Sequence, residues 1–158
     1  MIFLKNKNKI MFQKEDRSKF KYWFAHWCAY QMCALNCNNW KFKYLFHDIE
    51  KPFMLYFYMW ICGMKHEDAY KRVQKWHRNH NRHHIEYNGK KDYDAIIIDW
   101  ECSRFTKSSS PLTAADELDK KIKEGVLSDK DIFELKNSLI KLNLTNIPEG
   151  IKLKIVMD

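Results

Sequence analysis

Only three prolines and four glycines punctuate the 158 residues of this chain, and none of them precedes Pro52. Tight turns draw on glycine and proline for the backbone angles they need, so a chain this rarely interrupted favours long helices over many short strands. The first helix is predicted over Glu15–Asn36. Phe20, Trp23, Phe24, Trp27, Tyr30, Cys33 and Ala34 recur there mostly at three- and four-residue intervals, the spacing of one helical face. That pattern predicts an amphipathic helix with an aromatic buried face, and places Trp23, Trp27 and Trp40 in the core. The fold class expected is an all-α globule, one domain large enough to need no disulfide staples.

Further along, a turn near Asn36–Asn39 leads to "WKFKYLFHDIEK". Pro52 disfavours helical geometry at Lys51, so a break is expected directly after the His47–Asp48 pair. The most apolar run, "FMLYFYMWICGM", is too short to span a bilayer and suits a buried helix over Pro52–Cys62, stopped by Gly63. "EDAYKRVQKWHRNHNRHHIEYN" reads as a longer polar helix ending before Asn88 and Gly89. "DYDAIIIDWECSRF" suits a helix or a buried strand, and helix is preferred because no partner strand is apparent nearby.

Composition changes after Phe105. "TKSSSP" is a loop, and two helices follow, near Thr113–Glu124 with a Thr113/Asp116 capping pattern and near Asp129–Leu142 behind Ser128. Residues 1–13 form an N-terminal arm in which lysines interrupt the apolar residues, unlike a signal peptide. Residues 14–105 make the helical core, 106–143 a loop and C-terminal helices of the same domain, and 144–158 a short extended C-terminal arm. Cys28, Cys33, Cys37, Cys62 and Cys102 are odd in number and fit no paired zinc spacing, so they read as reduced core thiols of a cytoplasmic protein. The net charge of +8 attracts anions, and a small phosphate satisfies it as well as nucleic acid does.

The residues with chemistry are histidines and aspartates. "HRNHNRHH", residues 77–84, holds four of the seven histidines. On a continuous helix His77, His80, Asn81 and His84 share a face and His83 points away. Such a stretch is either a metal-binding cluster or a solvated helix, with His80 facing solvent. His47 and Asp48 sit among apolar neighbours, and Asp99 follows "AIII", where a carboxylate is costly to bury unless it is paired or bound to metal. His26 stands on the aromatic helix, either as a ligand or as a core histidine. Asp99 has Arg104 and Lys107 as alternative partners. Imidazole and carboxylate together suit a hydrolytic metal centre.

His26, the doublet His47–Asp48 and the distal Asp99 resemble, in order and separation, the ligand set of the HD-domain superfamily of metal-dependent phosphohydrolases, over Lys14–Phe105. The doublet followed by Lys51, "HDIEK", is similar to the "HDxxK" form seen in members with additional histidines. Together with His77, Asn81, His83, His84, Asp99 and Trp100, the pattern resembles a small HD-like family of bacteria and phages. The resemblance implies an HD-like helical fold in which His26, His47, Asp48 and Asp99 hold a divalent metal (Mn, Fe, Ni, Co, Zn or Mg). His77, His83 and His84 are then candidate ligands of a second ion, giving one or two per chain. It implies hydrolysis of a nucleotide, cyclic nucleotide or other small phosphate ester. Asp48, Lys51 and Asp99 are the implied catalytic residues. By their own charge Lys51, Arg82 and Arg104 are candidates to bind the substrate phosphate, and so is Lys107, on a loop with Ser108–Ser110 that is a lid or only a connector; the resemblance assigns that loop no role. A non-catalytic nucleotide-sequestering protein is the alternative, and a basic nucleic-acid-binding module a less favoured one. No membrane partner is expected, and the oligomeric state is left open.

Overall fold

The computed structural model describes residues 19–107 and 112–144, and within them the chain is all-α, with no strand. Helix α1 covers Lys19–Asn36. A 3-10 turn, Phe42–Phe46, leads to α2, Glu50–Tyr56, which runs on as a π-helical turn over Phe57–Ile61. Then come α3, His66–His80; α4, Tyr93–Thr106; α5, Ala114–Lys123; and α6, Asp129–Lys141. The expected N-terminal arm, and the C-terminal arm beyond Leu144, lie outside the described residues. No helix among the described residues is long and apolar enough to cross a membrane.

The core is built around α4. Its start is set by Asp92, whose carboxylate accepts from the Ala95 N–H, so the segment that also suited a strand is a helix. Ile96, Ile97 and Ile98 are all fully buried because α1, α5 and α6 pack around α4, and a helix covered on several sides shows no polar face. Leu118, Leu135, Leu139 and Leu142 join the same cluster, so the C-terminal helices share one core with α1 and α4. The capping box of Thr113 and Asp116 and the Ser128 cap start α5 and α6 where the sequence placed them.

The buried face of α1 differs from expectation. It is made of Ala25, Ala29 and Ala34 with Tyr30 and Cys33, while Phe24 is 48% exposed. Small residues on the shared face let α1 and α4 approach closely, which displaces the large rings to the flanks. The indoles of Trp23 and Trp27 there donate to the Asp48 and Leu45 carbonyls, and exposed Trp40 donates to Gln31. Two of the three tryptophans are therefore straps on the segment carrying His47 and Asp48, and none is a core residue.

Three further corrections bear on the site. The apolar run expected to be buried, α2 with its π-helical turn, contains no buried residue: Phe53 is 71% exposed and Trp60 72%. It packs on α3, whose Ala69 and Val73 are buried, outside the α4-centred cluster. Pro52 does not break the chain. It occupies the first turn of α2, where a helix needs no N–H donor, and the break falls earlier, at Asp48 with φ +60. Helix α3 stops at His80 rather than near Asn88, since Asn81 is extended. Of the cysteines, all free, Cys33 and Cys102 are buried, but Cys62 is exposed and not a core thiol.

Candidate metal centre and cavity

The site forms where the α2–α3 layer meets the core. His26 comes from α1, His47 and Asp48 from the loop after the 3-10 turn, and Asp99 from α4; His77 comes from the last turn of α3, and His83 and His84 from the turns beyond it. These seven residues, dispersed over 74 positions of sequence from His26 to Asp99, fall into two groups able to hold a metal ion. One is His26, His47 and Asp99; the other is Asp48, His77, His83 and His84; within each, one ligand atom per residue lies within 4.8 Å of the others. The early end of α3 makes the second group possible. Once the helix stops at His80, His83 is no longer held on the wrong face.

Asp48 joins the two groups. Its Oδ1 lies 2.9 Å from His77 Nε2 and 3.2 Å from His83 Nε2, while its Oδ2 lies 3.6 Å from His47 Nε2 and 3.8 Å from His26 Nε2. Lys51 also donates to Oδ2. The left-handed backbone at Asp48, uncommon for a residue with a side chain, is held by the Trp23 indole on its carbonyl. In the first group, Asp99 Oδ1 lies 3.0 Å from His26 Nε2 and 3.3 Å from His47 Nε2. The other nitrogen of His26 faces Thr106 Oγ1 at 3.3 Å, and the His47 ring stacks on Tyr30 with centroids 3.6 Å apart.

The donor set fits a divalent cation. Ring nitrogens converge on one another, His26 on His47 at 3.4 Å and His77 on His83 at 3.1 Å, although in each pair only one proton can lie between the two lone pairs. His84 Nε2 is buried with no hydrogen-bond partner among the described residues. A metal ion would accept lone pairs from all of these and would be matched in charge by Asp48 and Asp99. Glu50, which the sequence reading passed over, bonds His77 Nδ1 and accepts from Asn81 Nδ2 at 2.7 Å. It thereby holds His77 with Nε2 turned toward Asp48, as carboxylates behind metal-binding histidines do. Its signal lay inside "HDIEK", two residues past Asp48.

Burial and pairing set the protonation states that such a site requires. Burial pushes His47 down to about 4 against the pull of Asp48, and pushes His84 down to about 2, so both are neutral near pH 7. Burial alone would raise Asp48 and Asp99. The neighbouring His47 and Lys51 and hydrogen bonds from His77 and His83 hold Asp48 well below its usual value, and hydrogen bonds from His26 and His47 do the same for Asp99. His77 is raised on balance: burial lowers it, but Asp48 and Glu50 outweigh burial.

These shifts predict that the metal-free protein loses stability on acidification. A histidine whose folded pKa lies below its unfolded value takes up its proton more readily when unfolded, so its stabilising contribution is full above about 6.5 and falls away as pH drops toward 4. For His47 alone the loss by pH 4 is about 3 kcal/mol. The depressed carboxylates act in the same direction at lower pH, and His77 opposes. Urea unfolding of chelator-treated protein at pH 7 and pH 4.5 checks this. A stability that stays flat or rises on acidification would mean that the buried histidines are not held neutral.

Beside the two groups lies a cavity of about 460 Å³ reached by His26, Asp48, His84 and Asp99. Lys51, Lys107 and Arg78 supply positive charge to it, and Tyr22, Trp23, Leu55, Tyr56, Met59 and Tyr70 give apolar wall. Lys107 lines the cavity, and Ser108–Ser110 lie outside the described residues. Arg82 and Arg104 are elsewhere. Arg82 donates to the Lys90 carbonyl and lines a separate surface groove, and Arg104 pairs with Glu101 while covering the Phe105 ring. Asp99 uses neither Arg104 nor Lys107; its carboxylate faces His26 and His47. His80 is exposed and stacks on Trp76. Arg78, Gln74 and the tyrosines of the wall were not legible as site residues, because only the packing of α1, α2 and α3 around the cavity brings them to it. No family model, curated protein or solved structure matches this chain, and its function is read from this geometry.

Proposed function

We propose that the protein is a metal-dependent phosphohydrolase of the HD-domain type, acting on a nucleotide, cyclic nucleotide or other small phosphate ester. The observation that carries this reading is the meeting of two His/Asp ligand groups at one shared carboxylate, Asp48, beside a cavity sized for a small molecule and lined by three cations. His26, His47 and Asp99 would hold one divalent ion, His77, His83 and His84 a second, with Asp48 available to both. Imidazole-rich sets of this kind suit manganese, iron, cobalt, nickel or zinc better than magnesium. When bound, such an ion supplies Lewis acidity toward water and toward the phosphoryl group.

The chain's own residues do the remaining work. Asp48 and Asp99, ionised and buried, are the acceptors that orient an attacking water. Lys51, with Lys107 and Arg78, neutralises the phosphoryl oxygens as charge develops. The apolar wall takes the organic part of the ester and keeps bulk water from that side. The cavity favours a small ester over a nucleic-acid strand. The surface groove with Lys43, Arg82, Lys90, Lys91 and Lys141 is a weak competitor for a nucleic-acid role, since Asp92, Asp94 and Glu134 line it too.

Elemental analysis of protein incubated with manganese, iron, cobalt, nickel or zinc and then desalted should find roughly one or two ions per chain. The loaded protein should release phosphate, or open a phosphodiester, in a panel of mononucleotides, cyclic nucleotides and aryl phosphates. Absence of bound metal would refute the hydrolase. Metal uptake with tight nucleotide binding and no turnover would favour the sequestering role, and salt-dependent binding of oligonucleotides alone would favour a nucleic-acid module.

A further inference from the structure

The most apolar segment of the chain forms a helix without a buried residue. Along α2 and the π-helical turn, Phe53, Tyr56, Phe57 and Trp60 follow one another at three- and four-residue spacing, so they form a stripe on one side, with Ile61 beside it. Phe53, Trp60 and Ile61 are each more than 70% exposed, and Tyr56 and Phe57 at least half exposed. The Tyr56 and Trp60 rings stack with centroids 5.4 Å apart, which makes the stripe a continuous aromatic ridge. The other side of the same helix is engaged: Pro52, Leu55 and Met59 line the cavity, Tyr56 stands at the border between cavity and ridge, and α3 packs against the helix.

We infer that this ridge is the contact surface between two copies of the chain, packed helix against helix about a two-fold axis. Three features select that occupant. A chain of net charge +8 is repelled by its own copy overall, least across a face that carries no charge, and Pro52–Met64 has no charged residue. A single apolar stripe is complementary to itself, as a two-fold interface requires. Five large side chains exposed to this degree offer about 600 Å² per copy, so two copies bury about 1,200 Å², the lower bound for a stable specific interface. A lipid surface is a poorer match. A helix lying in a bilayer interface carries cations along its polar side, whereas the reverse side of this one forms the wall of the cavity.

Sedimentation velocity on the full chain from about 1 to about 100 μM should show a concentration-dependent monomer–dimer equilibrium. Amide exchange of residues 53–61 should slow as the dimer forms. Phe53→Glu and Trp60→Glu place the new charge on exposed positions outside the core, so circular dichroism should be unchanged while dimerisation weakens at least about tenfold for each. A monomer throughout the range overturns the inference, as does a dimer unaffected by both substitutions. Slow exchange at 53–61 in a monomer at every concentration also overturns it, assigning the ridge to another part of the same chain. Binding of the monomer to phosphatidylserine vesicles, lost in Trp60→Glu, assigns it to lipid instead.

Discussion

Asp48→Asn should empty both ligand groups at once. Asparagine tolerates the left-handed backbone that Asp48 adopts, so the substitution removes the charge and leaves the turn in place. Both oxygens of Asp48 are in use, Oδ1 toward His77 and His83 and Oδ2 toward His47 and His26. A neutral amide supplies one acceptor and no charge to balance a divalent ion. The expected loss is on the order of a hundredfold in metal affinity for each group, and on the order of a thousandfold in kcat/KM, about 4 kcal/mol of barrier. Asp99→Asn should act differently. Its carboxylate serves only the His26–His47 side, so about half of the bound metal should remain. Metal titration of the two variants separates the cases, and equal losses in both would show that Asp48 does not join the groups.

Lys51→Ala should cost nearly as much activity while leaving the metal in place. Lys51 lines the cavity and donates to Asp48 Oδ2, so in the metal-free protein it neutralises a carboxylate that a cation would otherwise claim. Without it, metal affinity should be unchanged or higher. A phosphate in the cavity, however, would lack its nearest ammonium, and transition-state stabilisation should fall by about 2–4 kcal/mol, seen chiefly in kcat. The melting temperature of the metal-loaded variant should stay near that of the parent. Loss of metal or unfolding in Lys51→Ala would make the lysine a scaffold for Asp48 and remove its proposed role toward substrate.

The sequence by itself determined the helices and the chemistry they carry. Scarcity of glycine and proline, the periodicity before Asn36 and the caps at Thr113 and Ser128 act within a few residues of themselves, so they can be read without knowing what lies across the core. The seven His and Asp candidates were legible for the same reason: a carboxylate after "AIII", or a His–Asp pair among apolar neighbours, is costly unless something compensates it. Only the tertiary structure decided the rest. It divided those candidates into two groups sharing Asp48, because the early end of α3 swings His83 inward. It added Glu50, Arg78 and the cavity wall, and removed Arg82 and Arg104. It also withdrew the full burial expected for Trp23, Phe24 and Trp27 of α1, though not for Tyr30, and that expected for α2. An apolar stripe states which side of a helix prefers to leave water, but whether that side is covered depends on how closely a distant segment approaches. The alanines of α1 admit α4 to that face, and within the described chain α2 has α3 on one side and none covering its ridge.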